Sequence, residues 1–184
     1  MKKVRIFEDF NGFKALFEAK SFESHGREPV GVSMSKNETI LKELETELKG
    51  NAGQVRELAY ATICGESGHK FDNVPYNRGS DVNAGHRHIS VKSSKFTLMS
   101  GSLCEGRTSF DAIWSLYSMK VASNEWTYIT KDGTAYEMNK DEFKSFVYEF
   151  CGLEKESAKN GGAYKIRCKA ESKKMLQWLE ARAI

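Results

Sequence analysis

No apolar run in this chain approaches the length of a membrane span, and the opening Met-Lys-Lys is not followed by the apolar core of a signal peptide. Cysteine is scarce. The four thiols, Cys64, Cys104, Cys151 and Cys168, stand far apart and form no Cys-x-x-Cys pair. That speaks against a disulfide scaffold and fits reduced thiols in an intracellular compartment. Neither sign of charge dominates, with 28 Lys and Arg against 25 Asp and Glu, a formal +3. Such a balance permits a polyanionic partner without requiring one, because the placement of charge decides. The shortages exclude membrane-spanning and disulfide-rich secreted classes, and the expected location is cytoplasmic.

What is present points to a packed core. Hydrophobic residues make up 40% and aromatics 11% of 184 residues, enough for one compact domain and too many for disorder. Near the N-terminus Phe10, Phe13, Leu16 and Phe17 have helical spacing. Ser35-Lys-Asn-Glu38 is a capping-box pattern ahead of Ile40, Leu41, Leu44 and Leu48, with Gly50 at the C-terminal cap. A second helix from Asn51 carries Val55, Leu58, Ala59, Thr62 and Ile63 before Gly65. The stretch Lys70 to Tyr76 suits an edge strand, where Pro75 is tolerated.

Further on, Thr108 or Ser109 caps a helix bearing Ile113, Trp114, Leu116 and Tyr117. Glu125 to Thr130 reads as a strand, Lys131-Asp-Gly133 as a hairpin turn, and Thr134 to Met138 as the return strand. Asn139 with Glu142 caps a helix whose apolar face is Phe143, Phe146, Val147 and Phe150, with Gly152 after it. A polar loop through Asn160-Gly-Gly162 precedes a strand, Tyr164 to Cys168, and the chain closes in a helix around Met175, Leu176, Trp178 and Leu179. No repeat or linker divides the chain. The expected organisation is a single domain over 1–184, with a core at about 51–131, an N-terminal helical extension over 1–50, and a hairpin strand, helix, strand and helix over 132–184.

The stretch with chemistry in it is Arg78-Gly-Ser-Asp81 through Lys92-Ser-Ser-Lys95. Ile89-Ser-Val-Lys92 alternates with the period of a strand, Ile89 and Val91 on one face and Ser90 and Lys92 on the other. A strand from Asp81, a turn at Ala84-Gly85 and a return through Lys92 bring an acid and an amine together. A carboxylate that binds a divalent cation beside an ammonium that orients water suits hydrolysis. The same residues also occur in plain hairpins, with Lys92 on a solvated face.

Asp81 followed by Ser90-Val-Lys92 resembles the active-site half-motif of the PD-(D/E)XK nuclease superfamily, which includes many type II restriction endonucleases. There an Asp opens one central strand and an acid-x-Lys triplet lies on the next. Ser80 stands in place of the usual Pro, and Ser90 in place of the first acid of the triplet. The order of elements from Asn51 also agrees with the α-β-β-β-α-β core of that superfamily. The resemblance spans about residues 51–130 and implies an α/β fold, a mixed central sheet flanked by helices. It further implies Mg2+ as cofactor, held by Asp81 and the Val91 carbonyl, with Lys92 positioning the attacking water.

With Ser90 unable to bind strongly, the resemblance implies a second acid from elsewhere. Glu57, on the helix from Asn51, and Glu105, just ahead of the next helix, are the two candidates. Glu57 ranks first because its helix is better defined. Their plain readings are a solvent-facing glutamate beside Arg56 and an acid favoured by a helix dipole.

Arg78, Arg87, Lys95 and Arg107 form a cationic surround suited to a phosphate backbone. Lys165, Arg167, Lys169, Lys173 and Lys174 add a later basic segment. Double-stranded DNA is therefore the expected partner, and cutting both strands of a symmetric site implies a homodimer. Two other classes compete. One is a non-catalytic DNA-binding or interaction protein in which Ser90 marks lost activity. The other is a zinc-stabilised module using Cys64, His69, His86, His88 and Cys104, whose spacing fits no finger or knuckle.

Overall fold

The computed structural model describes residues 1–5, 60, 81–84, 86–98, 104, 106–155 and 164–184. The expected helices over 35–65 and the edge strand over 70–76 fall outside these residues, except that Tyr60 is helical and buried.

Two sheets carry the described fold. The larger has five strands: β1 (Lys2–Arg5), β2 (Val82–Ala84), β3 (Arg87–Ser93), β5 (Glu125–Ile129) and β6 (Thr134–Met138), in the order β1-β6-β5-β3-β2. Its β3–β5 pair is parallel and the other pairs are antiparallel, so the sheet is mixed as expected. The smaller sheet is antiparallel, with β4 (Phe96–Thr97), β8 (Tyr164–Cys168) and β7 (Cys151–Lys155) in the order β4-β8-β7. Three helices are described: α1 (Phe110–Lys120), α2 (Lys140–Phe150) and α3 (Lys173–Arg182).

Local chemistry accounts for most of these boundaries. Ser109 caps α1 by accepting from the Ala112 N–H, and Ser172 caps α3 through the Met175 N–H. Asn139 and Glu142 form a reciprocal capping box on α2, each side chain accepting the other's backbone N–H at 2.9 Å. The β5–β6 hairpin turns at Gly133, whose φ of 83° lies where only glycine sits without cost.

The parallel β3–β5 pair requires a crossover, and α1 supplies it. On the covered face of the large sheet, Trp126 stacks on Phe143 with centroids 5.1 Å apart and planes 5° apart. Tyr128 meets Phe146 at the same 5.1 Å. Phe96 reaches Tyr128, Phe143 and Phe146, so β4 joins the two sheets through this aromatic core.

Residues 2–5 form β1, an edge strand paired to β6, ahead of the helix expected around Phe10 to Phe17, which lies outside the described residues. Gly152 follows α2 as expected. Cys151 ends the helix in an extended conformation and an additional strand, β7, begins at once with Gly152 inside it. No helix among the described residues is long and apolar enough to cross a membrane.

Phe143, 1% exposed and wedged between Trp126, Trp114 and Phe146, should be the costliest of the α2 positions to truncate. Phe143→Ala is expected to cost about 3–5 kcal/mol, and Asn139→Ala about 1 kcal/mol. Urea unfolding of both variants checks the ranking.

Candidate functional site

Strand β2 is only three residues long, and the candidate site is built where its ladder with β3 ends. Val82, Asn83 and Ala84 pair with Ile89, His88 and Arg87. One residue before β2, the Asp81 N–H donates to the Ile89 carbonyl at 2.7 Å. The Asp81 side chain then turns back over β3. Its Oδ2 accepts the Val91 N–H at 2.6 Å and the Ser90 hydroxyl at 3.2 Å. The carboxylate thus serves as a ladder acceptor, in bonds strengthened by its charge. Ser90 is fully buried, so its hydroxyl needs such a partner.

Strand alternation places Lys92 on the same face as Ser90. Their register partners on β5 are Tyr128 and Trp126, both in the aromatic core. Lys92 is therefore an ammonium at the margin of an apolar layer. Burial lowers its pKa below the usual lysine value, and the negative charge of Asp81 opposes that shift in part.

A further polar group reaches this margin from α1. The Tyr117 hydroxyl accepts the Trp126 indole N–H at 2.9 Å. Burial raises the phenol pKa, the indole bond opposes the rise, and the charge of Asp81 adds to it, so Tyr117 stays protonated at neutral pH. Sequence reading placed Tyr117 only in the packing stripe of its helix. The signal was its hydroxyl, since a buried Tyr needs a hydrogen-bond partner.

The structure brings together Asp81, Ser90, Val91 and Lys92, with Tyr117 beside them. Val91 contributes its N–H to Asp81. Arg87 is placed apart from them. Three residues before Ser90, it falls on the opposite face of β3 and makes a forked contact with Glu125 at 2.7–3.1 Å. A longer bond of 3.4 Å reaches Glu137, which also accepts from the Tyr60 hydroxyl. Arg87 is thus committed to carboxylates within the sheet and does not face the Asp81–Lys92 margin.

Lys95 is exposed in the turn after β3, next to Ser94 at a φ of 55°. Arg107 lies just ahead of α1, with its N–H on the Cys104 carbonyl at 3.0 Å. In the later basic segment Lys165 pairs with Glu154, Lys174 with Glu149, and Arg167 with the Thr97 hydroxyl. Glu57, Glu105 and Arg78 lie outside the described residues, as do Cys64 and His69. Asn124 stitches the hairpin turn to β5 through the His86 carbonyl and the backbone of His88.

Among the described residues no group of three or more His, Cys, Asp or Glu side chains gathers to hold a metal. Mg2+ asks for less, one or two carboxylates completed by water and substrate phosphate. Asp81 fits the first of these, and its position beside Lys92 and the Ser90 hydroxyl leaves the described part of the site without a second negative charge.

The depressed pKa of Lys92 has a consequence for stability. The folded chain releases this proton at lower pH than the unfolded chain, so the unfolded state binds more protons between the two pKa values. Stability should therefore rise with pH across that window, up to the ordinary lysine value near 10.5. Lys92→Met should flatten the rise in urea unfolding, and Asp81→Asn should lower the Lys92 pKa further by NMR titration. A Lys92 pKa unmoved by Asp81→Asn would contradict the arrangement. No protein-family model, curated protein or solved structure matches this chain.

Proposed function

We propose that the chain is a Mg2+-dependent DNA endonuclease of the PD-(D/E)XK kind, acting as a homodimeric type II restriction enzyme. The observation that supports it most is a carboxylate held against a strand by Ser90 and Val91, with a desolvated lysine one residue beyond on that strand. The parallel β3–α1–β5 crossover behind the pair supports it as well.

In this reading Asp81, with Glu57 or Glu105, holds Mg2+, whose Lewis acidity would neutralise charge on the scissile phosphate. The Lys92 ammonium orients the attacking water and stabilises the charge that builds on the phosphoryl oxygens. Its lowered pKa also leaves more of it as free amine able to take a proton than in a solvated lysine, a role that an Arg would not fill. Ser90 keeps the Asp81 oxygen aimed. Lys95, Arg107 and Arg78 contact the phosphate backbone, while Arg87 supports the strand that carries the site.

One observation favours a second reading. Because Asp81 closes the β2–β3 ladder, it would be needed for folding even in a protein that binds DNA without cutting it. Asp81→Asn separates the two roles, since an amide oxygen can still accept from Val91 and Ser90 while the charge is gone.

A supercoiled plasmid incubated with Mg2+ and the purified chain should be nicked or linearised at discrete positions. Lys92→Ala and Asp81→Asn should each reduce cleavage by about 100-fold to 1,000-fold with the fold retained. A wild-type protein that retards DNA without cutting it would establish the binding module instead, and a Lys92→Ala variant that cuts equally well would remove Lys92 from the chemistry and overturn this assignment.

A further inference from the structure

Two of the cysteines that stand far apart in the sequence meet in the small sheet. Cys151 and Cys168 are register partners across the antiparallel β7–β8 pair. The Lys169 N–H donates to the Phe150 carbonyl at 3.5 Å. A bond between the residues flanking a pair on the outside marks that pair as the non-hydrogen-bonded kind, whose Cα atoms lie about 4.5 Å apart and whose side chains approach more closely. Disulfides span Cα separations of about 4.4–6.8 Å. Both thiols are free. The Cys168 Sγ donates to the Phe150 carbonyl at 3.9 Å, and the neighbouring Cys168 thiol is the first cause of the raised Cys151 pKa.

We propose that Cys151 and Cys168 are a redox site, forming a reversible cross-strand disulfide by exchange with a low-molecular-weight disulfide of the glutathione class. Cys151 is the entry point, because it is partly exposed while Cys168 is buried. Its thiolate attacks one sulfur of the reagent, giving a mixed disulfide and releasing one small thiol. Cys168 then loses its proton and displaces the second small thiol as the Cys151–Cys168 bond closes. Two protein thiols are oxidised by two electrons, and one small disulfide is reduced to two thiols. The contact with Cys168 and, after it, burial hold the Cys151 thiol protonated, so the first step is slow at neutral pH. The second step is fast because the partner sulfur is already in place.

The bond would fasten three elements. Cys151 is the residue that ends α2, and Cys168 also pairs with Phe96 of β4. Phe96 in turn follows Lys92 by a short turn. The link therefore clamps the helix under the aromatic core to the segment that leaves the Asp81–Lys92 strand. It does not depend on what that site does.

The test equilibrates the wild-type chain in glutathione buffers of graded oxidised-to-reduced ratio, traps thiols with acid and alkylating agent, and maps peptides without reduction. The expected result is a Cys151–Cys168 peptide pair, two hydrogens lighter, appearing at one midpoint and reversed by dithiothreitol. The oxidised chain should melt about 5–10 °C higher than the reduced chain. Both thiols alkylated at every ratio, a stable glutathione adduct in place of the link, pairing with Cys64 or Cys104, or a lower melting temperature for the linked chain would each overturn the proposal.

Discussion

The arrangement at the edge of the large sheet depends on one carboxylate. Asp81 extends the ladder of a strand only three residues long, its side chain accepting the Val91 N–H beyond the end of that strand. The same bonds fix where its negative charge lies, next to the face of β3 that carries Lys92. Ser90 follows from this placement. A second carboxylate there would be buried against the first, at a cost that only a bound cation could offset. A hydroxyl instead donates to Asp81 and leaves one positive and one negative group at the margin. Burial lowers the pKa of this lysine, and shifted pKa values cluster among groups that work on protons or phosphates.

The two faces of the sheet divide the labour. On one, Trp126 and Tyr128 of β5 pack under α2 and Tyr117 of α1 reaches Trp126, so the core extends to the edge where Ser90 and Lys92 sit. On the other, Arg87, Glu125, Glu137 and Tyr60 form a charged network that ties β3, β5 and β6 together. Forked arginine–carboxylate contacts fix geometry through two parallel charge-assisted bonds, and this partly buried network lies behind the site on the far face of the sheet.

Much of this was legible because local chemistry and tertiary structure agree. Ser109, Asn139 and Glu142 announce α1 and α2, Asp132-Gly133 announces the β5–β6 hairpin, and the alternation of Ile89 to Lys92 announces β3 and its faces. Other features rest on partners distant in sequence, which local signals do not reveal. In β1, Val4 is the one apolar residue between charged neighbours, and the strand is held by its ladder with β6, with Lys2, Lys3 and Arg5 set against carboxylates at Glu137, Glu180 and Asp132. No spacing rule reveals partners more than a hundred residues away. Gly152 has the right residue type for a helix stop, yet pairing with Arg167 holds it in a strand. Arg87 stands near Arg78, Lys95 and Arg107 in sequence, but the strand period of two turns it away from Lys92 and onto Glu125. The meeting of Cys151 with Cys168 follows from register alone, which the sequence does not contain.

The central claim is that a divalent cation binds at Asp81 beside Lys92. Its most direct test is a Mg2+ titration of DNA-free protein, following the Lys92 ε-methylene resonance by NMR. Added cation should shift that resonance saturably in the wild type and leave it in place in Asp81→Asn. An unmoved resonance in the wild type, or an equal shift in the variant, would contradict the account.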